Sequence, residues 1–323
     1  MTMFPPDSRI LITGAGGVVG SEFVRSFMED KVEVLGVVNK TNIIASKLLL
    51  CDFTRLNELE SFERIISQSV GVKNISVIIH CAAIKSIAAC DNNPHDAMMV
   101  NVMSTAMLAE IAARSGIPFV FMSSDAVFTT EDYQVHNLDF PTEDDTTNPS
   151  TYYGETKAFA EQVIIQIFKK YVNNNYLIIR TSSIMGFDQG NFAFDVLSKI
   201  TSGGKYTAYS DAYVQPVYVK TVVDIVRRLL KENRYGIFHV ASQQIISRAR
   251  FVRNMHLINS GINLNSPNFM IEDISLSRAE EAVDHKLIGI NAVLNTDKIN
   301  QLSVSINTLD EVNKFVSDFN ANK

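Results

Sequence analysis

Near its start the chain reads Ile10-Leu11-Ile12-Thr13-Gly14-Ala15-Gly16-Gly17-Val18-Val19-Gly20, an apolar run that leads into closely spaced glycines. The apolar run predicts a buried β-strand, and the residues after the glycines have the spacing of an amphipathic helix. Glycine at positions 14, 17 and 20 permits a tight turn, close approach of the backbone to a pyrophosphate, and close packing of helix on strand. A purely structural turn is the alternative, but the flanking strand and helix favour a nucleotide site. We therefore expect a dinucleotide to contact Gly14, Gly16, Gly17, Val18, Val19 and Gly20.

Short β-branched runs alternate with helix-length amphipathic stretches through the first half of the chain. The predicted strands are Arg9 to Thr13, Val32 to Val38, Ser76 to His80, Phe119 to Ser123 and Tyr176 to Arg180. The predicted crossover helices include Gly20 to Glu29, Ala97 to Ser115 and Tyr153 to Tyr171. Strands that alternate with helices pair in parallel and are covered on both faces. The pattern therefore predicts an α/β fold with a Rossmann-type doubly wound parallel sheet.

Beyond Arg180 this alternation weakens, which indicates a smaller, interleaved C-terminal substrate-binding lobe. We expect the Rossmann domain to comprise residues 1–180 and about 212–242, and the lobe to comprise about 181–211 and 243–323. Residues 128–151 are acidic and polar and predict a long surface loop. Its run Glu143-Asp144-Asp145 is expected to be a solvated face rather than a metal site.

The composition is that of an ordinary globular protein, with 46% hydrophobic and 20% charged residues. A formal net charge of -6 argues against the basic surface that nucleic-acid binding requires. Cys51, Cys81 and Cys90 lack the paired spacing of a disulfide framework or zinc site, which favours a reducing compartment. No apolar run approaches the ~20 residues needed to cross a bilayer, and the first nine residues do not resemble a secretion signal. We expect a cytoplasmic protein that binds neither membrane nor nucleic acid.

The second predicted strand ends at Val38-Asn39-Lys40-Thr41, where proteins that bind NAD often present a carboxylate to the ribose. Asn39 and Lys40 stand there instead. Lys40 could meet a 2′-phosphate, which favours NADP, although NAD remains possible and an exposed lysine is as often merely solvated.

Tyr153 and Lys157 are four residues apart at the start of a predicted helix, so both side chains lie on one face. A nearby ammonium is expected to lower the pKa of the tyrosine toward the range useful for general acid-base chemistry. Taken alone, the pair is better explained as a packed tyrosine beside an exposed lysine.

The order of motifs nevertheless resembles the extended short-chain dehydrogenase/reductase family over nearly the whole chain. Thr13 to Gly20 resembles its glycine motif, Cys51-Asp52-Phe53-Thr54 its adenine-contacting segment, and His80-Cys81-Ala82-Ala83 its strand end beside the cofactor. Asn101 falls at the family's helix asparagine, and Phe121 to Phe128 resembles the segment that carries the catalytic serine or threonine, which places that role on Ser124. The resemblance implies cofactor contacts from Asp52, Phe53, Cys81, Ala82, Ala83, Tyr153 and Lys157.

Within the family, the stretch from Pro141 to Lys157, Arg180-Thr181-Ser182 and Gly236 to Ala241 look most like dTDP-4-dehydrorhamnose reductases. His80 to Lys85 with Asn93-Pro94 resembles nucleotide-sugar epimerases and dehydratases more closely. Dehydratases carry an acidic pair after the catalytic threonine, whereas Ala126 follows Asp125 here, which counts against dehydration.

The resemblance implies reduction of a nucleotide-activated 4-keto sugar by NADP(H) or NAD(H). Tyr153 would donate the proton, Ser124 would orient the carbonyl, Lys157 would hold the cofactor ribose, and Asn101 would support a water chain. A nucleotide-sugar epimerase and a non-catalytic NADP-binding regulatory subunit are the alternatives. The resemblance also implies a homodimer that pairs through the helices Asn101 to Ser115 and Tyr153 to Tyr171.

Other polar residues carry weaker expectations. Cys81 and Cys90 are expected to be core or near-core thiols because neither has an adjacent base. His80 is expected to end a strand rather than to act in catalysis. Arg180, Arg248 and Arg250 could meet a diphosphate through bidentate contacts.

Overall fold

The computed structural model describes residues 8–39, 45, 47–72, 75–129, 140–262, 269–275 and 293–321. The chain divides into two compact units. The first unit comprises Met1–Val127, Thr147–Arg180 and Val223–Phe238, and the second comprises Phe128–Thr146, Thr181–Val222 and His239–Lys323. The division is interleaved in sequence. It assigns residues 128–146, 212–222 and 239–242 to the second unit, whereas we expected them in the Rossmann domain.

The elements alternate between strand and helix through the first unit. The strands are β1 (Arg9–Thr13), β2 (Glu33–Val38), β3 (Lys47–Leu50), β4 (Ile75–His80), β5 (Phe119–Ser124), β6 (Tyr176–Thr181), β7 (Ile184–Met185), β8 (Gly204–Tyr209), β9 (Tyr213–Val214), β10 (Val217–Tyr218), β11 (Gly236–Val240), β12 (Ile246–Ser247) and β13 (Phe269–Ile274). The helices are α1 (Val18–Glu29), α2 (Leu56–Val72), α3 (Ile87–Asn92), α4 (Pro94–Met98), α5 (Ser104–Ser115), α6 (Tyr152–Lys170), α7 (Phe192–Ser202), α8 (Val219–Lys231), α9 (Arg248–Ile262), α10 (Asp297–Asn300) and α11 (Thr308–Ala321).

A seven-stranded sheet in the order β11-β6-β5-β4-β1-β2-β3 forms the centre of the fold. The pairs β1·β2, β2·β3, β1·β4 and β4·β5 are parallel. This strand order, with helices between most of the successive strands, confirms the predicted Rossmann-type α/β class. Each of the five predicted strands lies within one residue of its observed bounds.

The register of the sheet brings three strand ends together. Thr13 of β1 is aligned with His80 of β4, and His80 is aligned with Phe121 of β5. Because these strands are parallel, the residues after each of them emerge at the same edge of the sheet. The glycine turn, the segment from Cys81 and the end of β5 with Ser124 are therefore neighbours.

A hydrophobic core holds this edge in place. Leu11 and Phe119 of the sheet belong to one buried cluster with Phe62 of α2, Leu108 of α5 and Ile164 of α6. Helices α5 and α6, in the region that we expect to form a dimer interface, pack against each other. The homodimer itself stays a prediction.

The described residues of the second unit form three two-stranded sheets. In these sheets β10 pairs with β7 in parallel, β12 pairs with β9 antiparallel, and β13 pairs with β8 in parallel. Phe187 stacks on Phe315 at a ring-centroid separation of 4.9 Å. In the described part of the chain, no helix is long and apolar enough to span a membrane.

The acidic run in residues 143–145 differs from the predicted solvated face at its first member. Glu143 is buried, and its Oε1 accepts a hydrogen bond of 2.9 Å from the backbone N–H of His239. Asp144 and Asp145 are exposed. The expectation was wrong for Glu143 because a backbone partner distant in sequence satisfies its carboxylate. Within the described ranges, no group of acidic, histidine and cysteine side chains has the arrangement of a metal site.

Candidate active site

The glycine turn after β1 requires glycine at two positions. Gly14 has a φ of +62°, and a Cβ there would lie 2.6 Å from the backbone nitrogen of Ala82. A Cβ on Gly20 would lie 2.1 Å from the carbonyl oxygen of Gly14. The turn is closed by a hydrogen bond of 2.9 Å from Gly17 N–H to the same carbonyl. Both positions therefore exclude any larger residue.

The same turn has the features of a phosphate cradle. Gly16 and Gly17 are exposed, so no side chain covers their backbone, and α1 begins at the next residue, Val18. The first turn of α1 carries no acidic side chain. A helix N-terminus with uncovered backbone N–H groups attracts an anion. These residues fit the pyrophosphate of a nicotinamide dinucleotide.

Four further predicted cofactor contacts follow β2 and β3, whereas Cys81, Ala82 and Ala83 follow β4 and Tyr153 and Lys157 lie on α6. Asn39 is exposed directly after β2, and Lys40 lies outside the described residues. Asp52 follows β3, and its Oδ1 accepts hydrogen bonds from Thr54 N–H (3.1 Å) and Thr54 Oγ1 (2.7 Å). The ring of Phe53 is buried against Phe62, so any contact of Phe53 with a cofactor would involve its backbone.

A buried chain of hydrogen bonds begins at the cofactor side of the sheet. Ala82 N–H donates to Thr13 Oγ1 (3.3 Å), which lies 2.6 Å from His80 Nδ1. His80 Nε2 lies 2.9 Å from Thr105 Oγ1, and Thr105 Oγ1 donates to the carbonyl oxygen of Asn101 (2.7 Å). Because the Thr105 proton is used at Asn101, Thr105 accepts from Nε2–H, which leaves Nδ1 to accept from Thr13.

His80 is neutral in this setting. Burial, and to a smaller extent the charge of Lys157, lower its pKa to about 3. Its ring stacks on Phe119 and Phe121. Sequence reasoning assigned His80 only the end of a strand, whereas the structure makes it the link between the cofactor edge and Asn101.

Asn101 lies in a π-helical segment, Met99–Met103, directly before α5. Its side chain is fully buried: Oδ1 accepts from Ile84 N–H (2.8 Å), and Nδ2 donates to Ile84 O (3.1 Å) and Thr156 Oγ1 (2.9 Å). Thr156 Oγ1 in turn donates to the carbonyl oxygen of Tyr153 (2.7 Å). Asn101 thus ties the segment after β4 to the first turn of α6. Its participation in a water chain stays a prediction.

The start of α6 packs directly on the segment after Ser124. Thr151 caps the helix by accepting from Gly154 N–H (3.1 Å), and a Cβ on Gly154 would lie 2.1 Å from the carbonyl oxygen of Ala126. This close approach brings Tyr153 to Ser124, and their side chains are hydrogen-bonded.

The pKa of Tyr153 is raised, not lowered as expected. Burial is the main cause, and the charge of Asp125 and then Cys90 add to it, while the hydrogen bond with Ser124 opposes it. Ser124 Oγ also donates to Asp125 Oδ1 at 2.7 Å. The expectation failed because burial disfavours the phenolate and the charges that act on it disfavour it as well, so that only the hydrogen bond with Ser124 favours it. The phenol is therefore held in its protonated form, which is the form that donates a proton.

Lys157 lies one turn after Tyr153 on α6 and is only 1% exposed. Its Nζ donates to the carbonyl oxygen of Met122 (2.7 Å) and lies 3.8 Å from the centre of the Phe121 ring. Burial lowers the pKa of Lys157 to about 7, and the Glu161 charge is the largest opposing cause. The lysine is thus held at the strand end that carries Ser124.

Sequence reasoning missed an ion pair beneath this lysine. Arg180 was a candidate diphosphate ligand, but it is buried and its guanidinium pairs with Glu161, with Nη2 to Oε2 at 2.7 Å. Ser123 Oγ donates to Glu161 Oε1 at 2.5 Å. The sequence held one signal for the position of Glu161: it follows Lys157 by four residues, which places both side chains on one face of the helix.

Cys81 and Cys90 are core or near-core thiols, as expected. Cys90 is buried and its Sγ donates to the carbonyl oxygen of Ile84 (3.3 Å). Burial raises the pKa of Cys81 to about 12. A thiol that stays protonated is a poor nucleophile.

Comparisons with known proteins agree with the resemblance drawn from the motifs. The chain is 27% identical over 244 residues to the spore coat polysaccharide biosynthesis protein SpsK of Bacillus subtilis, which covers 76% of this chain and 77% of that protein. It is 26% identical over 260 residues to methionine adenosyltransferase 2 subunit beta of Xenopus tropicalis, covering 75% and 70% of the two chains.

A solved structure shares the fold over almost the full length. The dTDP-4-dehydrorhamnose reductase of Bacillus anthracis, solved in complex with NADP, matches with a TM-score of 0.76 at 19% identity and covers 98% of this chain and 99% of its own. The model of the family described as the RmlD substrate binding domain matches residues 8–285. This match spans most of the chain, and the chain belongs to that family.

Proposed function

We propose that this protein is an NADP(H)-dependent reductase that converts the 4-keto group of a nucleotide-activated sugar to a hydroxyl. One observation carries the proposal: the fold brings Ser124, Tyr153 and Lys157 together at the sheet edge that also presents the glycine turn. Ser124 and Tyr153 are hydrogen-bonded, and Lys157 lies one helical turn away. A proton donor, a carbonyl-orienting hydroxyl and a cation are the groups that carbonyl reduction by a dinucleotide needs.

The choice of cofactor rests on the uncovered glycine turn and on the end of β2. The NADP complex of the similar Bacillus anthracis structure supports a nicotinamide dinucleotide in this family of folds. The preference for NADP over NAD rests on Asn39 and Lys40, which replace the usual carboxylate.

The proposed mechanism assigns one task to each residue. The glycine turn and Lys157 would hold NADPH, which when bound would supply the hydride for reduction of the sugar carbonyl. Tyr153, whose raised pKa keeps its phenol protonated, donates the proton to the carbonyl oxygen. Ser124 would hold that oxygen by a hydrogen bond once its hydroxyl proton turns from Asp125 Oδ1 to the substrate. Lys157 would place a positive charge beside the cofactor ribose.

The experiment that tests this function is an assay of NADPH consumption with a panel of nucleotide 4-keto sugars that differ in base and sugar. The account expects NADPH loss with at least one sugar and formation of the 4-hydroxy product. The matched control is Tyr153→Phe. An epimerase would interconvert sugars without net consumption of NADPH, and that result would contradict the reductase proposal.

A second candidate function is a non-catalytic NADP-binding subunit. It is favoured by the similarity to methionine adenosyltransferase 2 subunit beta. This candidate predicts NADPH binding without turnover on any sugar of the panel. The complete set of Ser124, Tyr153 and Lys157 favours the enzyme.

A further inference from the structure

We infer that Glu161 is a positioning residue that supports the positive charge of Lys157 and fixes the Lys157 helix to the strand that carries Ser124. The inference rests on the proposed function for its consequence in catalysis, whereas the geometry stands in the free protein. Nothing in the motif pattern assigned a role to Glu161.

Glu161 joins three elements of the first unit. It lies one turn after Lys157 on α6 and is only 2% exposed. Its Oε1 accepts from Ser123 Oγ of β5 at 2.5 Å, and Arg180 of β6 donates to both carboxylate oxygens, with Nε at 3.1 and 3.2 Å and Nη2 at 2.7 Å from Oε2. Every one of these contacts is buried.

Two successive turns of α6 hold two successive residues of β5. Lys157 Nζ donates to the carbonyl oxygen of Met122, and Glu161 accepts from the hydroxyl of Ser123. The next residue is Ser124. The two bonds therefore set how far α6, with Tyr153, can slide along the strand relative to Ser124.

Stability alone does not explain a buried ion pair at this place. A well-packed apolar pair of similar volume is often as stable as a buried ion pair or more so, because both charges lose their hydration. Glu161 and Arg180 nevertheless lie in the core beneath Lys157. A carboxylate there does what an apolar residue cannot: it places a negative charge near the buried ammonium.

The groups around Lys157 come from several elements. Burial disfavours its ammonium form, and Glu161 gives the largest opposing charge effect. Burial raises the pKa of the Cys81 and Cys90 thiols, so both are protonated and uncharged near pH 7. His80 of β4 is neutral because its own pKa is lowered. Removal of the Glu161 charge should therefore lower the pKa of Lys157 below about 7.

The test is a ¹³C NMR titration of the lysine ε-carbons in the full-length protein, with the Lys157 signal assigned by its loss in Lys157→Met. In Glu161→Gln the midpoint should fall by about one pH unit or more, so that at pH 7 the charged fraction drops from about one half to about one tenth or less. Glu155→Gln, an exposed change on the same helix, is the matched control and should leave the midpoint unchanged.

A second variant covers the case in which Glu161→Gln does not fold, because that change leaves Arg180 without the carboxylate of Glu161. Glu161→Gln combined with Arg180→Met removes both charges and should still lower the midpoint, because Glu161 acts more strongly on Lys157 than any other charge. An unchanged Lys157 midpoint in whichever of the two variants folds would overturn the inference.

Binding of NADPH separates this inference from the proposed function. The variants should bind NADPH about fivefold or more weakly at pH 7 and nearly as well as wild type at pH 5.5, in parallel with the loss of the ammonium. If the wild-type protein reduces no sugar at all, the proposed function fails, while the titration still decides whether Glu161 supports Lys157.

Discussion

Lys157 donates a hydrogen bond of 2.7 Å from Nζ to the backbone carbonyl oxygen of Met122. This bond anchors the Lys157 ammonium to the end of β5. A lysine held in this way is preorganised, so little side-chain entropy would be lost on contact with a ribose hydroxyl, the contact proposed for it.

The first prediction concerns the pH dependence of cofactor binding. The pKa of Lys157 lies at about 7, well below 10.5, so its ammonium is present below that pH and is lost as the pH rises. NADPH affinity of the wild type should therefore fall as the pH rises through about 7, measured by calorimetry at several pH values. Lys157→Met should bind more weakly, by about 10-fold or more as expected for a charged hydrogen bond.

The same variant supplies the control, since its affinity should lack this titration. The ratio of the two dissociation constants removes any titration of the cofactor phosphate itself. A ratio that stays constant from pH 5.5 to 8.5 would show that Lys157 does not contact the cofactor in its charged form.

The second prediction concerns the proton on His80. The hydrogen bonds to Thr13 and Thr105 require the proton on Nε2, and burial keeps the ring neutral. ¹⁵N NMR of the imidazole should show a neutral Nε2–H ring that does not titrate between pH 5 and 8. A ring that titrates near its usual pKa would show that the network is open to water.

Variants at the same network test its contribution to stability. Thr105→Val removes the acceptor of His80 and the donor to Asn101, and should lower the free energy of unfolding by about 1–3 kcal/mol. The exposed Thr146→Val is the control and should change it by less than about 0.5 kcal/mol.

The third prediction is that Gly17 and Gly20, which lie in one turn, respond differently to substitution by alanine. Gly20→Ala places a Cβ 2.1 Å from the Gly14 carbonyl oxygen, so urea unfolding should show a loss of about 1–3 kcal/mol or more. In Gly17→Ala the new Cβ would lie 3.4 Å from the same oxygen, which is an ordinary van der Waals contact. This variant should therefore be nearly as stable as the wild type. Because Gly17 is exposed at the start of α1, its methyl group should weaken NADPH binding instead.

The fourth prediction concerns cofactor choice. Asn39 and Lys40 stand where a carboxylate would bind the ribose hydroxyls of NAD. Calorimetry should give tighter binding of NADP(H) than of NAD(H), and Lys40→Glu should shift the preference toward NAD(H). Equal or tighter binding of NAD(H) by the wild type would reverse this assignment.

Local sequence patterns predicted much of the fold. The apolar run before Gly14 gave the bounds of β1 without error, because a fully buried strand admits few polar residues. The carboxyl ends of the predicted strands must lie at one edge of the sheet, because the strands run parallel. The neighbourhood of Ser124 and the glycine turn therefore follows from the order of the strands, whereas the approach of Tyr153 to Ser124 depends on the packing of Gly154 against Ala126.

Contacts between distant residues were beyond the same reasoning. The pairing of Glu161 with Arg180 depends on β6 lying beside β5, and the burial of Glu143 depends on the backbone of His239. The raised pKa of Tyr153 depends on how much of the phenol is buried, which spacing does not reveal. The π-helical turn at Asn101 likewise has no signature in its residue types.

The central claim is that Tyr153 donates the proton in a carbonyl reduction. The direct measurement is steady-state turnover of Tyr153→Phe on a nucleotide 4-keto sugar that the wild type reduces, with NADPH affinity and unfolding measured on the same preparation. We expect turnover lower by about 10²-fold or more, as for loss of a general acid, with NADPH affinity and stability nearly unchanged because only one hydroxyl is removed. Near-normal turnover of Tyr153→Phe would contradict the account and assign the proton donor elsewhere.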